Sequence, residues 1–419
     1  MATAASVSAS PLDRVTYQPP TRQRVDSIDL LRGLVMVIMM LDHTRDYFSA
    51  AAFQFDPTDL ERTSVVLFLT RWITHYCAPT FFFLAGTGAY LRRARGATAG
   101  EMSRFLASRG VWLILLEFTI VRVGISGDLL PHGRYLIQTI WALGWSMIVL
   151  AALVHLPLRV IGAFGAAMVL LHNAFDGLPV AQCGLRQPLC GAGDVLLRIM
   201  HVPGPLAFGR GGLMVLEMYP LIPWIGVMSL GYVFGKLYTV DAAERRRILV
   251  RLGAAVITLF IVLRASNLYG DASKWSVQSR GAPFTVLSFL NVTKYPPSLL
   301  YLCMTIGPGI LLLAFLERDR RGPIDRALVN FGRVPMLFYL MQWMFAHGVA
   351  LAVYTAFGKP TDALHLLQDV PAAAVLARTG FSLPVVYAFW VLGVLTLYPI
   401  CKWYAGVKKR RNDWWLGYL

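Results

Sequence analysis

Two short stretches of the sequence hold the side chains best suited to chemistry. "DHTRDYF" carries Asp42, His43, Arg45 and Asp46, and "RWITHY" carries Arg71 and His75. Imidazole gains and loses a proton near neutral pH, and neighbouring charged groups set its tautomer and proton affinity. Such a set can take a proton from a nucleophile, relay it, or steady a developing negative charge. His43, His75 and Asp42 also have ligand types that suit zinc. No HxH or HxxxH spacing supports a metal, and none is expected.

Both stretches lie in apolar surroundings that must position them. "DLLRGLVMVIMMLDHTRDYF", residues 29–48, is apolar enough to cross a membrane, yet it carries Arg32 near one end and the Asp42–Asp46 cluster near the other. A charge at the centre of a spanning helix costs ~2.5–3.5 kcal/mol even on the lenient insertion scale, so something must offset it. The chain of 419 residues is 56% hydrophobic and 15% charged, with mean hydropathy +0.56. Soluble domains lie nearer ~45–50% apolar and ~25% charged. The apolar residues fall in blocks of roughly 18–25, the length that crosses ~30 Å of hydrocarbon. The pattern predicts an all-α, polytopic membrane helix bundle. Its spans are expected at about 28–48, 65–91, 108–126, 136–155, 158–175, 219–238, 249–266, 286–316, 330–356 and 382–405.

The net charge of +16 is distributed by topology. Arg14, Arg22 and Arg24, the Arg92/Arg93/Arg95 cluster, Arg159, the Arg245–Arg247 run, Arg318 to Arg326, and Lys408–Arg411 occupy alternate inter-span segments. The intervening loops are less basic, and the first holds Asp56, Asp59 and Glu61. By the positive-inside rule this predicts about ten helices with both termini cytoplasmic. The excess charge then serves orientation and membrane lipids, and a nucleic-acid partner is not expected. Residues 1–24 read as a disordered tail without a cleavable signal, 25–405 as the membrane domain, and 406–419 as a basic and aromatic tail at the interface. Association as a homodimer is left open. Cys77, Cys303 and Cys401 read as small buried hydrophobes, whereas Cys183 and Cys190 share the 176–218 loop, where a disulfide and two free thiols are both open. "GRGG" at 209–212 lacks a following Lys-Ser/Thr and a preceding strand, which excludes it as a phosphate loop.

Depth brings the polar groups together. With the first helix running outward, His43 lies ~22 Å along it. Arg71 and His75 lie ~9 and ~15 Å below the outer boundary on the returning one. Arg122, His172 with Asn173, Asn267, Tyr295, Gln342 and His347 fall in the same outer half. That convergence predicts a water-filled cavity facing the extracytoplasmic side. Not every member needs a functional role. His172 and His347, near helix ends, are expected to bond backbone carbonyls, and Arg45, Asp46 and Arg32 could snorkel to an interface.

These segments resemble a known family. "RVDSIDLLRGLVMVIMMLDHTRDYF" followed by "TRWITHYCAPTFFFLAGTGAYL" is similar to the catalytic domain of the heparan-α-glucosaminide N-acetyltransferases, and more closely to its bacterial members. "YPLIPWIGVMSLGYVFGKLY", "NVTKYPPSLLYLCMTIGP" and "FGRVPMLFYLMQW" resemble its later helices, so the likeness runs over about 25–405. It implies an integral membrane acyltransferase, in a bacterial inner membrane, that takes an acetyl group from cytoplasmic acetyl-CoA. The acceptor would be a glycan or amino sugar on the far side. The family's Asp-x-x-Arg-Gly opening matches Asp29, Arg32 and Gly33, and its Pro and Gly after the second span match Pro79 and Gly86. Where the lysosomal enzymes have Asn and Asp, this chain has His43 and His75. Those enzymes carry their proposed catalytic His in the loop after the first helix, beyond a Gly-rich stretch, and the loop here, about 49–64, has neither His nor Gly. The heparan substrate is therefore not inherited.

Within that resemblance His43 is the first choice for general base, with Asp42 or Asp46 orienting it. His75 is the alternate base or oxyanion partner, and Arg71 supplies positive charge. Arg32 and Arg333 are the candidates for the phosphates of acetyl-CoA. The competing class is a transporter or channel for a small polar or anionic solute, with His43 as proton relay. O-acylation of an envelope polysaccharide differs only in acceptor. The topology is testable by reporter fusions: residue 20 and Lys409 should report cytoplasmic and Gln187 extracytoplasmic. Cytoplasmic labelling at Gln187 would overturn the orientation.

Overall fold

The computed structural model describes residues 25–129, 133–181, 190–208, 213–317, 322–365, 372–411 and 413–418. Cys183, Gln187, the "GRGG" run, the N-terminal tail and Arg318, Arg320 and Arg321 lie outside the described residues. The elements run α1 (Asp26–Phe48), α2 (Val65–Thr74), α3 (Cys77–Ala94), α4 (Ala99–Leu116), α5 (Arg122–Ser126), β1 (Arg134–Ile137), α6 (Thr139–Leu153), α7 (Leu158–Leu171), α8 (Ala192–Met200), β2 (Gly204–Phe208), β3 (Leu213–Glu217) and α9 (Leu221–Phe234). They continue as α10 (Ala242–Ser266), α11 (Ala282–Leu290), α12 (Leu299–Leu316), α13 (Pro323–Arg333), α14 (Pro335–Ala356), α15 (Ala373–Leu376) and α16 (Leu383–Arg410).

This is a helical membrane bundle, and each expected span falls largely on helix. Among the described residues six helices are long and apolar enough to cross a membrane by themselves, built on α7, α9, α10, α12, α14 and α16. Helix α1 has 23 residues, long enough to cross, but it carries the charges discussed above. It runs through the middle, packed against α2, α3, α12, α13, α14 and α16. Helices α7, α10 and α16 turn most of their surface outward, where apolar side chains meet lipid tails at no cost.

The structure departs from the simple picture where proline intervenes. The expected 65–91 span is two helices, with His75 and Tyr76 at the joint. Pro79 has no N–H, so the His75 carbonyl four residues earlier lacks its helical donor. The Tyr301 hydroxyl supplies the missing bond at 2.8 Å. Likewise 286–316 is α11 and α12, separated by a loop containing Pro296 and Pro297. At 330–356 the chain bends at Val334, so Arg333 ends α13 rather than starting α14. Helix α4 passes through a π-helical turn, Glu117–Val121, into α5. A small sheet of order β1-β3-β2 also forms, β1 parallel and β2 antiparallel to β3, so 134–137 pairs as strand instead of opening the α6 span.

The seam between α1 and α13 is backbone against backbone. A methyl group on Gly33 would overlap the Leu328 carbonyl, and one on Gly332 would overlap the Asp29 carbonyl. That approach sets Arg32 and Arg333 side by side, Arg32 Nη1 reaching the Gly332 carbonyl at 3.4 Å. Gly33→Val or Gly332→Val must therefore part the helices, at a cost of ~1–3 kcal/mol or more for overpacking. Either should lower the thermal midpoint of the purified protein in detergent by several degrees. An unchanged midpoint in both would remove the seam from the account.

Candidate active site

Asp42 is held from two sides. Arg71 Nη1 on α2 meets its carboxylate oxygens at 2.6 and 2.8 Å, and Thr74 Oγ1 donates to Oδ1 at 2.9 Å. From α1 itself, Arg45 Nη2 lies 3.0 Å from Asp42 Oδ1 and 2.5 Å from Asp46 Oδ1. Two carboxylates and two guanidiniums thus neutralise each other within the bundle. Arg45 is 4% exposed, so it does not snorkel to an interface.

His43 faces elsewhere. Neighbouring residues on an α-helix point about 100° apart. Asp42 therefore looks toward α2 while the His43 ring lies flat on Trp343 of α14, with centroids 3.6 Å apart and planes at 22°. Tyr339, one turn earlier on α14, meets the same ring edge-on at 6.3 Å. Neither Asp42 nor Asp46 hydrogen-bonds His43, and its buried Nδ1 has no hydrogen-bond partner. The expected carboxylate orientation of His43 is thus replaced by aromatic stacking, because both carboxylates are taken up by arginine.

His75 and Arg71 line a cavity of about 300 Å³ near the C-terminal end of α1, with Asp56, Thr58, Lys294 and Tyr295. Its far wall is the loop between α11 and α12, and that loop is pinned. Asp271 accepts from Thr293 N and Oγ1 at 2.8 Å and from Ser298 Oγ at 2.6 Å. His172 Nε2 lies 2.9 Å from the Pro297 carbonyl, and Asn173 Oδ1 accepts from Leu299 N at 2.9 Å. Arg264 donates to the carbonyls of Phe289, Ser273, Ser288 and Asn291. His75 itself is buried and its Nδ1 is unpartnered.

Not all of the outer-half polar residues reach this cavity. Arg122 donates to the Leu129 carbonyl at 2.8 Å, and Asn267 caps α10 and bonds Trp275. His172 and His347 bond backbone carbonyls as expected, His347 Nδ1 lying 3.3 Å from Gly124 O. Gln342 Nε2 meets Met39 Sδ at 3.1 Å in the core.

At the other end of α1 lies a larger cavity of about 390 Å³. Arg32 and Arg333 stand at its mouth with Arg92, Arg109 and Lys408, and its interior is apolar, lined by Met39, Phe81, Leu84 and Leu113. Arg32 is paired to Asp29 at 3.1 Å, and Arg333 lies 3.6 Å from Asp26 and 3.7 Å from Asp29. Arg109 also donates to the Gly417 carbonyl, and Ser108 Oγ shares a hydrogen bond with Tyr418 Oη at 2.8 Å, so the 413–418 segment borders the mouth. Arg109 and Lys294 are site residues that the sequence reading missed, and Arg92 and Lys408 entered it only as topology markers. Each is an ordinary interfacial cation in sequence, and only packing gathers them. The deep end of this cavity reaches Tyr339 and Met39 beside His43. Cys77, Cys303 and Cys401 are free and buried, and Cys190 is disulfide-bonded.

The family model for the catalytic region of heparan-α-glucosaminide N-acetyltransferase matches residues 24–268, more than half of the chain. A comparison with curated proteins finds no match.

Removing one partner from a buried ion pair leaves the other uncompensated, typically at ~3–5 kcal/mol. Asp42→Asn should therefore destabilise the protein by about that much in denaturant unfolding. Combining Asp42→Asn with Arg71→Met should cost less than the sum of the two single changes. Strict additivity would mean that the pair does not couple α1 to α2.

Proposed function

Because the chain belongs to the heparan-α-glucosaminide N-acetyltransferase catalytic family, we propose that it moves an acetyl group from acetyl-CoA, bound from the Arg32 end, to an amino or hydroxyl group of a glycan presented at the His43 end. The observation that carries this reading is the pair of cavities. One is basic at its mouth and apolar within and reaches Tyr339, whose ring meets His43; the other is polar and is lined by Arg71, which pairs with Asp42, the neighbour of His43 on α1. The phosphates of CoA call for arginine and lysine, which the first cavity supplies at Arg32, Arg92, Arg109, Arg333 and Lys408. Its apolar interior suits the pantetheine arm, which would reach along the ~16 Å of α1 that separate Arg32 from His43. We place the Arg32 end in the cytoplasm of a bacterial cell, where the donor is made, and the protein in the inner membrane.

In the reaction the acceptor nitrogen or oxygen attacks the thioester carbonyl carbon. Neutral His43 takes the acceptor's proton, and the CoA thiolate leaves with the C–S electron pair. Arg71 is already neutralised by Asp42, so its role in this reading is to hold the wall of the acceptor cavity. His75, in the same wall, is the second candidate for the base. The cationic Lys294 and the ring of Tyr295 would bind the sugar.

Purified protein with labelled acetyl-CoA and amino-sugar or polysaccharide acceptors tests the reading. His43→Ala should keep its fold and donor affinity yet lose ~10²–10⁴-fold in transfer, the usual share of a general base. The rate should also fall at low pH, as the imidazole becomes protonated and stops accepting. His75→Ala is the comparison, and a larger loss there would exchange the two roles. Arg32→Ala and Arg333→Ala should weaken acetyl-CoA binding in calorimetry, while Lys294→Ala should not. Solute flux without acetylated product would favour a transporter, and normal binding by both arginine variants would misplace the donor.

A further inference from the structure

We propose that Tyr339 is a catalytic residue, its hydroxyl donating the hydrogen bond that stabilises the oxyanion formed from the donor's thioester carbonyl. The inference rests on the acetyltransferase reading above. Helix α14 presents Tyr339 and Trp343 one turn apart, and both touch His43, Trp343 by stacking and Tyr339 edge-on. Tyr339 is 5% exposed and lines the deep end of the basic cavity together with Met39, Thr139 and Ile140. It therefore stands where a thioester entering from the Arg32 end would meet the base.

Its hydroxyl donates to no protein group, and Trp343 Nε1 is the neighbouring group within reach of its oxygen. Other buried tyrosines nearby are satisfied: Tyr47 donates to the Ile125 carbonyl at 2.7 Å and Tyr354 to the Tyr47 carbonyl at 2.9 Å. Tyr238 and Tyr404 also lack partners, but neither lines this cavity. Trp343 Nε1, on the neighbouring turn, is a donor only and cannot take the phenolic proton. A buried donor with nothing to give its proton to is unfavourable to keep unless a ligand uses it.

The step balances without any proton leaving Tyr339. The acceptor's lone pair forms the new bond to carbon, the carbonyl π pair moves onto oxygen, and Tyr339 O–H donates to that oxygen. His43 holds the proton taken from the acceptor. When the C–S bond breaks, the electron pair leaves on sulfur, and the His43 proton passes to the thiolate. Tyr339 thus contributes only a preorganised dipole, which is the form such stabilisation takes in a dry site.

One competing role comes from the structure itself. Glu117 in the π-turn accepts from Trp141 N at 3.0 Å through Oε2, while its buried Oε1 is unpartnered. Tyr339 could exist to satisfy that oxygen, which would make it structural. The titratable groups facing Tyr339 are accordingly His43 on α1 and Glu117 between α4 and α5.

Tyr339→Phe separates the two. As an oxyanion donor, its loss should lower kcat ~10²–10³-fold with acetyl-CoA affinity and thermal midpoint kept. As a partner of Glu117, its loss should lower the midpoint and leave kcat alone. Tyr238→Phe removes an unpartnered hydroxyl outside the cavity and should leave kcat unchanged. Should Tyr339→Phe fail to fold, 3-fluorotyrosine at 339 keeps the shape with a more acidic phenol. Its kcat at neutral pH should then differ from the wild type with acetyl-CoA affinity kept, because the strength of the donor to the oxyanion has changed. Wild-type kcat in Tyr339→Phe, or in the fluorinated protein where Tyr339→Phe does not fold, overturns this inference alone. Absence of acetyl transfer by the wild type overturns the acetyltransferase reading and this inference with it.

Discussion

Arg45 and Arg71 reach one oxygen of Asp42 from two different helices, and with Asp46 the four charges sum to zero inside an apolar bundle. That neutralisation is what makes these charges on α1 tolerable in a buried helix. Each of those charges alone would be expelled toward water or would need a counter-ion. Paired, they fix the rotation of α1 about its axis. Once Asp42 is turned toward α2, the next residue must face α14, and His43 has no choice but to meet Trp343 and Tyr339. The electrostatic clamp thereby decides which wall the imidazole serves without touching it.

The proline at 79 acts in the same indirect way. By withdrawing a donor from the His75 carbonyl it ends α2 just before His75, and Tyr301 of α12 restores the bond. A residue that would otherwise be one more position on a straight helix becomes a corner of the polar cavity. The loop facing it, from Thr293 to Ser298, is tied by Asp271, His172 and Asn173. Both walls of that cavity are therefore irregular backbone stabilised by side chains. This is how non-helical chain survives at membrane depth.

Much of this was legible in the sequence. Apolar length set the spans, and expensive charges inside them pointed to Asp42, His43, Arg71 and His75, since few structural needs justify that cost. The bland role foreseen for His172 and His347 also holds in the structure. What the sequence hid was partnership. Adjacent Asp42 and His43 read as a pair, yet helical geometry parts them. Arg92 and Lys408 read as topology signals and nothing in the sequence singles out Arg109, because their sharing of one mouth depends on how α3, α4 and α16 pack. Tyr339 and Trp343 have no legible role beyond their place in "FGRVPMLFYLMQW", since packing decides what each ring touches. The small sheet escaped notice because its strands are short: β2 and β3 fall in a segment that reads as loop, and the end of β1 reads as the start of a span.

The seam at Gly33 and Gly332 has a consequence for how such a site can change over evolutionary time. Side chains that touch can drift together, a larger one on one helix matched by a smaller one on the other. Here each glycine faces the carbonyl of the opposite helix rather than the opposite glycine's side of the contact. No substitution at one position can make room for a change at the other, since a peptide carbonyl cannot be trimmed. The two positions should therefore stay fixed individually and leave no trace as a covarying pair. The placement of Arg32 beside Arg333 would be inherited as a property of the backbone.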